Sequence, residues 1–250
     1  MNKTMIISAV IAAAALAGCS LSGAVGNRSS DIKASIKTLS ERYGVEFKLK
    51  KKKFSGGASV NAYVTCPETG DREIYVFQAS AGSRVPSENA VKTDYIYVRY
   101  GAEALAAIKS AAESVYPGCK VEVTERQYNH LTYDMYDSST DLAGYLANNY
   151  FSAYVYAPQL PRTRQELIRE YDKLAETFSA KGIVCRDLCL CCPESMDKVI
   201  PADHIMCSND DQYENNTDTA HTEPVRLKAS IALEPAIGGS EPYSVTINGE

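Results

Sequence analysis

The residues of this chain best suited to chemistry are its cysteines. Eight occur in 250 residues. Four fall in one stretch, Cys185-Arg-Asp-Leu-Cys189-Leu-Cys191-Cys192, and Cys207 follows. Cys189-x2-Cys192 with His204-x2-Cys207 has the form of two two-ligand hooks separated by a loop, the way structural zinc sites assemble from thiolates and imidazole. The preferred reading is simpler. It makes Cys185, Cys189 and Cys191 small apolar residues on one strand face, some of them in disulfides, because free Cys is commonly buried. A third reading takes Cys189 and Cys192 as a thiol redox pair, which requires an accessible thiol of low pKa. No metal and no cofactor is assigned from these spacings. Elsewhere, Cys66 ends one predicted strand and Cys119 opens another, and this pair is the candidate disulfide.

Other catalytic patterns are incomplete. His130, His204 and His221 are the only histidines, and each sits in a polar stretch where solvation is the default. Ser30-Asp-Ile-Lys33 and Ser195-Met-Asp-Lys198 match S-x-x-K, but K-T-G and S-D-N are missing. His221-Thr-Glu223 lacks the downstream P-C-x-x-C that a zinc deaminase needs. No phosphate loop, dinucleotide-binding glycine motif or H-E-x-x-H occurs. The acidic run from Asn209 to Glu214 lacks the central glycine of a calcium loop and reads as solvated. No catalytic residue is assigned.

The N-terminus carries an address. Met1-Asn2-Lys3-Thr4 precedes an uncharged apolar run over 5–17, too short for the roughly 20 residues of a membrane-spanning helix. It reads as the core of a signal peptide. Leu16-Ala17-Gly18-Cys19 follows, and it resembles the lipobox of bacterial lipoproteins. The resemblance implies cleavage after residue 18 and a diacylglyceryl group, with acyl chains such as palmitate, on Cys19. Two acyl chains anchor a protein stably where one does not. The implied location is the extracytoplasmic face of the cell membrane, or the outer membrane if the source has one. Residues 19–30 then form a lipidated polar tether. The segment Leu39-Ser-Glu-Arg-Tyr-Gly-Val-Glu-Phe47 behind this lipobox is similar to uncharacterised surface lipoproteins of Gram-positive bacteria.

The elements beyond the tether alternate irregularly. Ile32, Ile36, Leu39 and Tyr43 repeat at helical spacing, with Gly44 as C-cap. Val45, Phe47 and Leu49 alternate as in a half-buried strand, and turns at 55–57 and 67–70 lead into strands 58–66 and 72–78, an antiparallel meander. Residues 93–115 mix strand propensity with a helical stripe (Tyr97, Gly101, Ala104, Ile108, Ala112, Val115) and are assigned as a helix. Strand 119–125, helix 141–148, strand 150–157, helix 163–180 and strand 183–192 follow. Residues 193–223 read as irregular. Val225, Leu227, Ala229, Ile231 and Leu233 alternate cleanly, and 243–247 is a last strand. The expected fold class is α+β, with antiparallel sheets packed by amphipathic helices. The expected division is a signal peptide at 1–18, a tether at 19–30 and α+β units at 31–137 and 138–250, or one continuous domain.

Composition sets the function class. Apolar residues make up 45%, charged residues 23%, and the net charge is −5, so no basic field suits nucleic acid. Lys48 and Lys50 to Lys53 cluster on the first strand. Edge protection is the preferred reading, and contact with anionic lipid or teichoic acid is the alternative. Tyrosine is abundant at 17, with no tryptophan, and seven lie between Tyr128 and Tyr156, suiting interfaces or glycan stacking as well as thin cores. Together these features read as a membrane-anchored, non-enzymatic binding or envelope-interaction module with a glycan or protein ligand. The alternative is an exported enzyme, either a thiol redox protein or an envelope hydrolase.

Overall fold

A computed structural model describes residues 29–52, 60–78, 91–126, 136–149, 151–161, 163–208, 225–233 and 243–247. The fold is α+β, with four helices and two sheets among these residues. The expected signal peptide, Cys19 and most of the tether lie outside them, as do His130, His221, Lys53 and the acidic run at 209–214.

The chain divides into two compact units. The first takes the described residues up to Tyr95 together with 136–138, and the second takes the remainder. The boundary thus falls inside the segment expected to close a unit at 137. The physical reason is that the strand near 120 pairs with strands of the second unit.

In the first unit, helix α1 (Ser29–Tyr43) precedes strands β1 (Lys48–Lys52), β2 (Val60–Cys66), β3 (Gly70–Gln78) and β4 (Val91–Thr93), in sheet order β1-β2-β3-β4 and antiparallel throughout. Ile32, Leu39 and Tyr43 of α1 are buried, as are Ala62, Val64, Ile74 and Val76 on one face of the sheet. Gly44 takes the left-handed conformation that ends α1, its N–H donating to the Ser40 carbonyl at 2.9 Å. Pro67-Glu68 turns the chain, the Thr69 N–H donating to the Cys66 carbonyl at 3.2 Å, and Gly70 follows at positive φ. Tyr43, Phe47 and Tyr95 pack edge to face, with centroids 4.8–6.3 Å apart.

Strand β1 is the sheet's edge, exposed along its whole length, and a register slip follows Leu49. Leu49 is therefore 43% exposed, where the alternation predicts a half-buried residue. Asp94 accepts the Tyr75 N–H at 2.7 Å, and burial pushes its carboxyl up to about 7.

In the second unit, helices α2 (Tyr95–Val115, from Ile96 on), α3 (Leu142–Asn148) and α4 (Arg164–Ala180) accompany six strands. These are β5 (Lys120–Arg126), β6 (Phe151–Tyr156), β7 (Cys185–Pro193), β8 (Met206–Ser208), β9 (Leu227–Leu233) and β10 (Tyr243–Ile247), in order β10-β9-β7-β6-β5-β8. The sheet is mixed, with β6 and β7 parallel and joined through α4, and β5 and β8 parallel. The residues 93–115 resolve into β4 and α2, and Ala104, Ile108 and Ala112 are buried as the helical stripe predicts. Thr163 caps α4 by accepting the Glu166 N–H, and Leu167, Tyr171, Leu174 and Phe178 form its buried stripe. Residues 193–208, expected to be irregular, hold a 3-10 turn (Met196–Lys198) and β8.

Candidate functional site

The register of the second sheet sets out two rows of side chains on one face. Pairing across β5, β6, β7, β9 and β10 aligns Glu122, Tyr154, Cys189, Ala232 and Ser244 in one row. The next row is Lys120, Tyr156, Cys191, Ser230 and Thr246. Successive side chains of a strand point to opposite faces, so these ten share one side. Tyrosines on β6 stand beside Cys, Ala and Ser on β7, β9 and β10, and the step in size leaves a hollow.

A cavity of about 540 Å³ fills that hollow, lined by Tyr154, Tyr156, Cys189, Cys191, Val225 and Leu227 with backbone and side chains of β9 and β10. Two irregularities build its walls. A slip between Cys192 and Pro193 pairs Pro193 with Leu227, and Leu227 and Val225 pack against Tyr156 and Cys191. The five-residue alternation from Val225 to Leu233 is thereby split between the two faces, where a single face was expected. The 3-10 segment closes another side. Met196 and buried Val199 pack on Tyr156 and Cys191, and the Lys120 ammonium donates to the carbonyls of Met196 at 2.6 Å and Val199 at 2.7 Å.

Among the described residues the lining holds no charged side chain. Burial first, and Asp187 second, push the Cys189 thiol up to about 11. Burial also pushes Cys191 up to about 12 and raises Tyr156, with neighbouring thiols and Glu122 adding to both shifts. Thiols and phenols thus face the cavity uncharged at neutral pH. The arrangement offers apolar surface, aromatic faces and neutral hydrogen-bonding groups, and no activated nucleophile.

The cysteines separate accordingly. Cys189 and Cys191 share the cavity face, as the strand reading expects. Cys185 does not join them in register: the pairing slips after Phe151, so Cys185 stands opposite Phe151 and Asp187 opposite Ser152. Cys192, three residues from Cys189, points to the other face, its thiol 3.9 Å from the Pro158 carbonyl. A strand therefore cannot aim Cys189 and Cys192 at one zinc ion, and His204 is exposed beside Asp203 at 3.0 Å. Among the described residues no three His, Cys, Asp or Glu side chains form a metal site, and the Cys207 side chain lies outside them. Cys66 and Cys119 are free thiols, not a bridge. Each has a local neighbour, Cys66 next to Thr69 at 3.4 Å and Cys119 next to Glu113 at 3.6 Å. The lysines of β1 lie on an edge as expected for edge protection, and Lys50 and Lys51 pair with Glu73 at 3.5 and 2.7 Å.

Two features of this sheet escape sequence reasoning. The tyrosine-rich stretch flags the region of Tyr154 and Tyr156, but Ser230, Ala232 and Ser244 carry no signal until register aligns them. Buried Glu125, on the packed face of β5, carries none either. Its carboxylate accepts from the Tyr145 hydroxyl at 3.2 Å, and burial pushes it up to about 7 against the lowering pull of Asn149 and Tyr145. Comparison with protein-family models, curated proteins and solved structures finds no match for this chain.

Proposed function

We propose that the chain is a lipid-anchored, extracytoplasmic binding module without catalytic activity. Its anchor is Cys19, and its ligand site is the cavity on the β5–β10 sheet, which takes a small, uncharged, largely apolar molecule. The observation that carries this reading is a cavity of about 540 Å³ whose described lining residues include no charged group, a size within the usual range for small-molecule sites. An ionic ligand entering it would lose hydration with no opposite charge among the described lining residues to replace it. The redox alternative pairs Cys189 with Cys192 and requires a depressed, accessible thiol; burial moves Cys189 the other way, and Cys192 points to the opposite face.

The test is a titration of the chain from Ser20 onward with the neutral dye Nile red. Saturable binding is expected, abolished by Ala232→Phe, which fills the hollow from β9. Equal binding by the A232F variant overturns the assignment. The anchor is tested separately: metabolic labelling with a fatty acid is expected to mark the wild type and not Cys19→Ser.

A further inference from the structure

Two thiols reach the same cavity from one strand. Cys189 and Cys191 are two residues apart on β7, each opposite a tyrosine of β6 and a small residue of β9. Residues i and i+2 of a strand lie about 6.6 Å apart, and strand side chains lean along the strand. Metal–thiolate bonds of about 2.3 Å place the two sulfurs of a linear, two-coordinate ion about 4.6 Å apart. The two sulfurs reach that spacing when the side chains take different χ1 rotamers, about 180° and about −60° both being common in strands. The tetrahedral set that zinc takes is not assembled among the described residues. Thiolate ligands in apolar, aromatic surroundings select soft ions, Cu(I) foremost.

We propose that Cys189 and Cys191 form a two-coordinate Cu(I) site on the wall of the cavity. Binding exchanges two S–H protons, released to solvent, for two Cu–S bonds. Copper enters and stays as Cu(I), so no electron is transferred. The product is a bis-thiolate of net charge −1. Lys120, fixed by the Met196 and Val199 carbonyls in the same row as Cys191 and Tyr156, and Glu122, in the row of Cys189, place one charge of each sign on that face. The site goes beyond the organic-ligand reading and does not depend on it.

The experiment titrates the full chain, reduced and anaerobic in nonionic detergent, with Cu(I) in competition with the chromophoric chelator bicinchoninate. The chain is expected to withhold one Cu(I). Cys189→Ser and Cys191→Ser are each expected to weaken it by more than about 100-fold, beyond the loss of an outer-sphere partner. Cys185→Ser and Cys192→Ser are expected to leave it unchanged. Circular dichroism identifies any variant that has unfolded. Bound Cu(I) is also expected to protect Cys189 and Cys191 of the wild type from alkylation, a readout that needs no variant. Surrender of all copper by the wild type, or undiminished binding by folded C189S, overturns the proposal. Nile red binding by the copper-free wild type, measured on the same preparation, separates failure of the copper site from failure of the cavity reading.

Discussion

The two faces of the β5–β10 sheet are built from the same strands and behave oppositely. On one face Val121, Val123, Ala153, Val155, Leu190 and Ile231 are all buried. Helix α3 packs Tyr145 on Phe151 with centroids 5.6 Å apart, and α4 sets Tyr171 against Tyr243 at 5.8 Å. Helices α3 and α4 lie over that face, and its residues are buried against them. On the other face the rows run from tyrosine to cysteine to serine or alanine. Size changes abruptly across neighbouring strands, and a cavity remains. Among the described residues, small side chains placed in register beside large ones are enough to leave the hollow.

Adjacent residues test that contrast most severely. Leu190 is 0% exposed on the packed face, and Leu190→Ala is expected to cost about 2–5 kcal/mol in urea unfolding. Cys189→Ala, one residue away on the cavity face, should cost no more than about 1 kcal/mol, because it enlarges space already empty. Equal losses at both positions break the comparison.

The packed face also holds a titratable group, and its pH dependence is the next effect in size. Glu125 is pushed up to about 7 in the fold, above its unfolded value. The unfolded chain therefore releases this proton first, and the carboxyl's contribution is complete at low pH and is lost as pH rises toward and through 7. The loss is on the order of 2–3 kcal/mol. Glu125→Gln is expected to raise stability relative to wild type at pH 8 and to change it little at pH 5. Melting curves at the two pH values check this, and an equal shift at both contradicts it.

The smallest effect sharpens the cavity's wall. Lys120→Met removes both hydrogen bonds to the 3-10 segment and is expected to cost roughly 1–2 kcal/mol. It should also speed alkylation of Cys191, which that segment covers. Alkylation at the wild-type rate would show that the contact does not hold the wall.

Elements with one dominant period are legible in the amino-acid sequence. The stripes of α1 and α4 and the meander of the first unit follow from 3.6- and 2-residue spacing together with Gly44, Gly70 and Gly182, all at positive φ. The candidate site is legible only in its cysteines. Whether Cys185 joins Cys189 and Cys191 depends on the slip at Phe151/Ser152, and a second slip follows Cys192. The same slip turns Leu227 toward the cavity against its own alternation. The unit boundary is not legible because β5 belongs by pairing to strands far along the chain, which local composition does not report.

Selection of uncharged ligands by the cavity is tested most directly by a charge series. Binding constants of the chain from Ser20 onward would be compared for a neutral aromatic dye, its sulfonated analogue and its trimethylammonium analogue. Burying either ionic group without a partner is costly. The neutral dye is expected to bind at least about tenfold more tightly than both, a difference of about 1.4 kcal/mol. A charged analogue that binds as tightly as the neutral one, and loses that binding in A232F, would contradict the account.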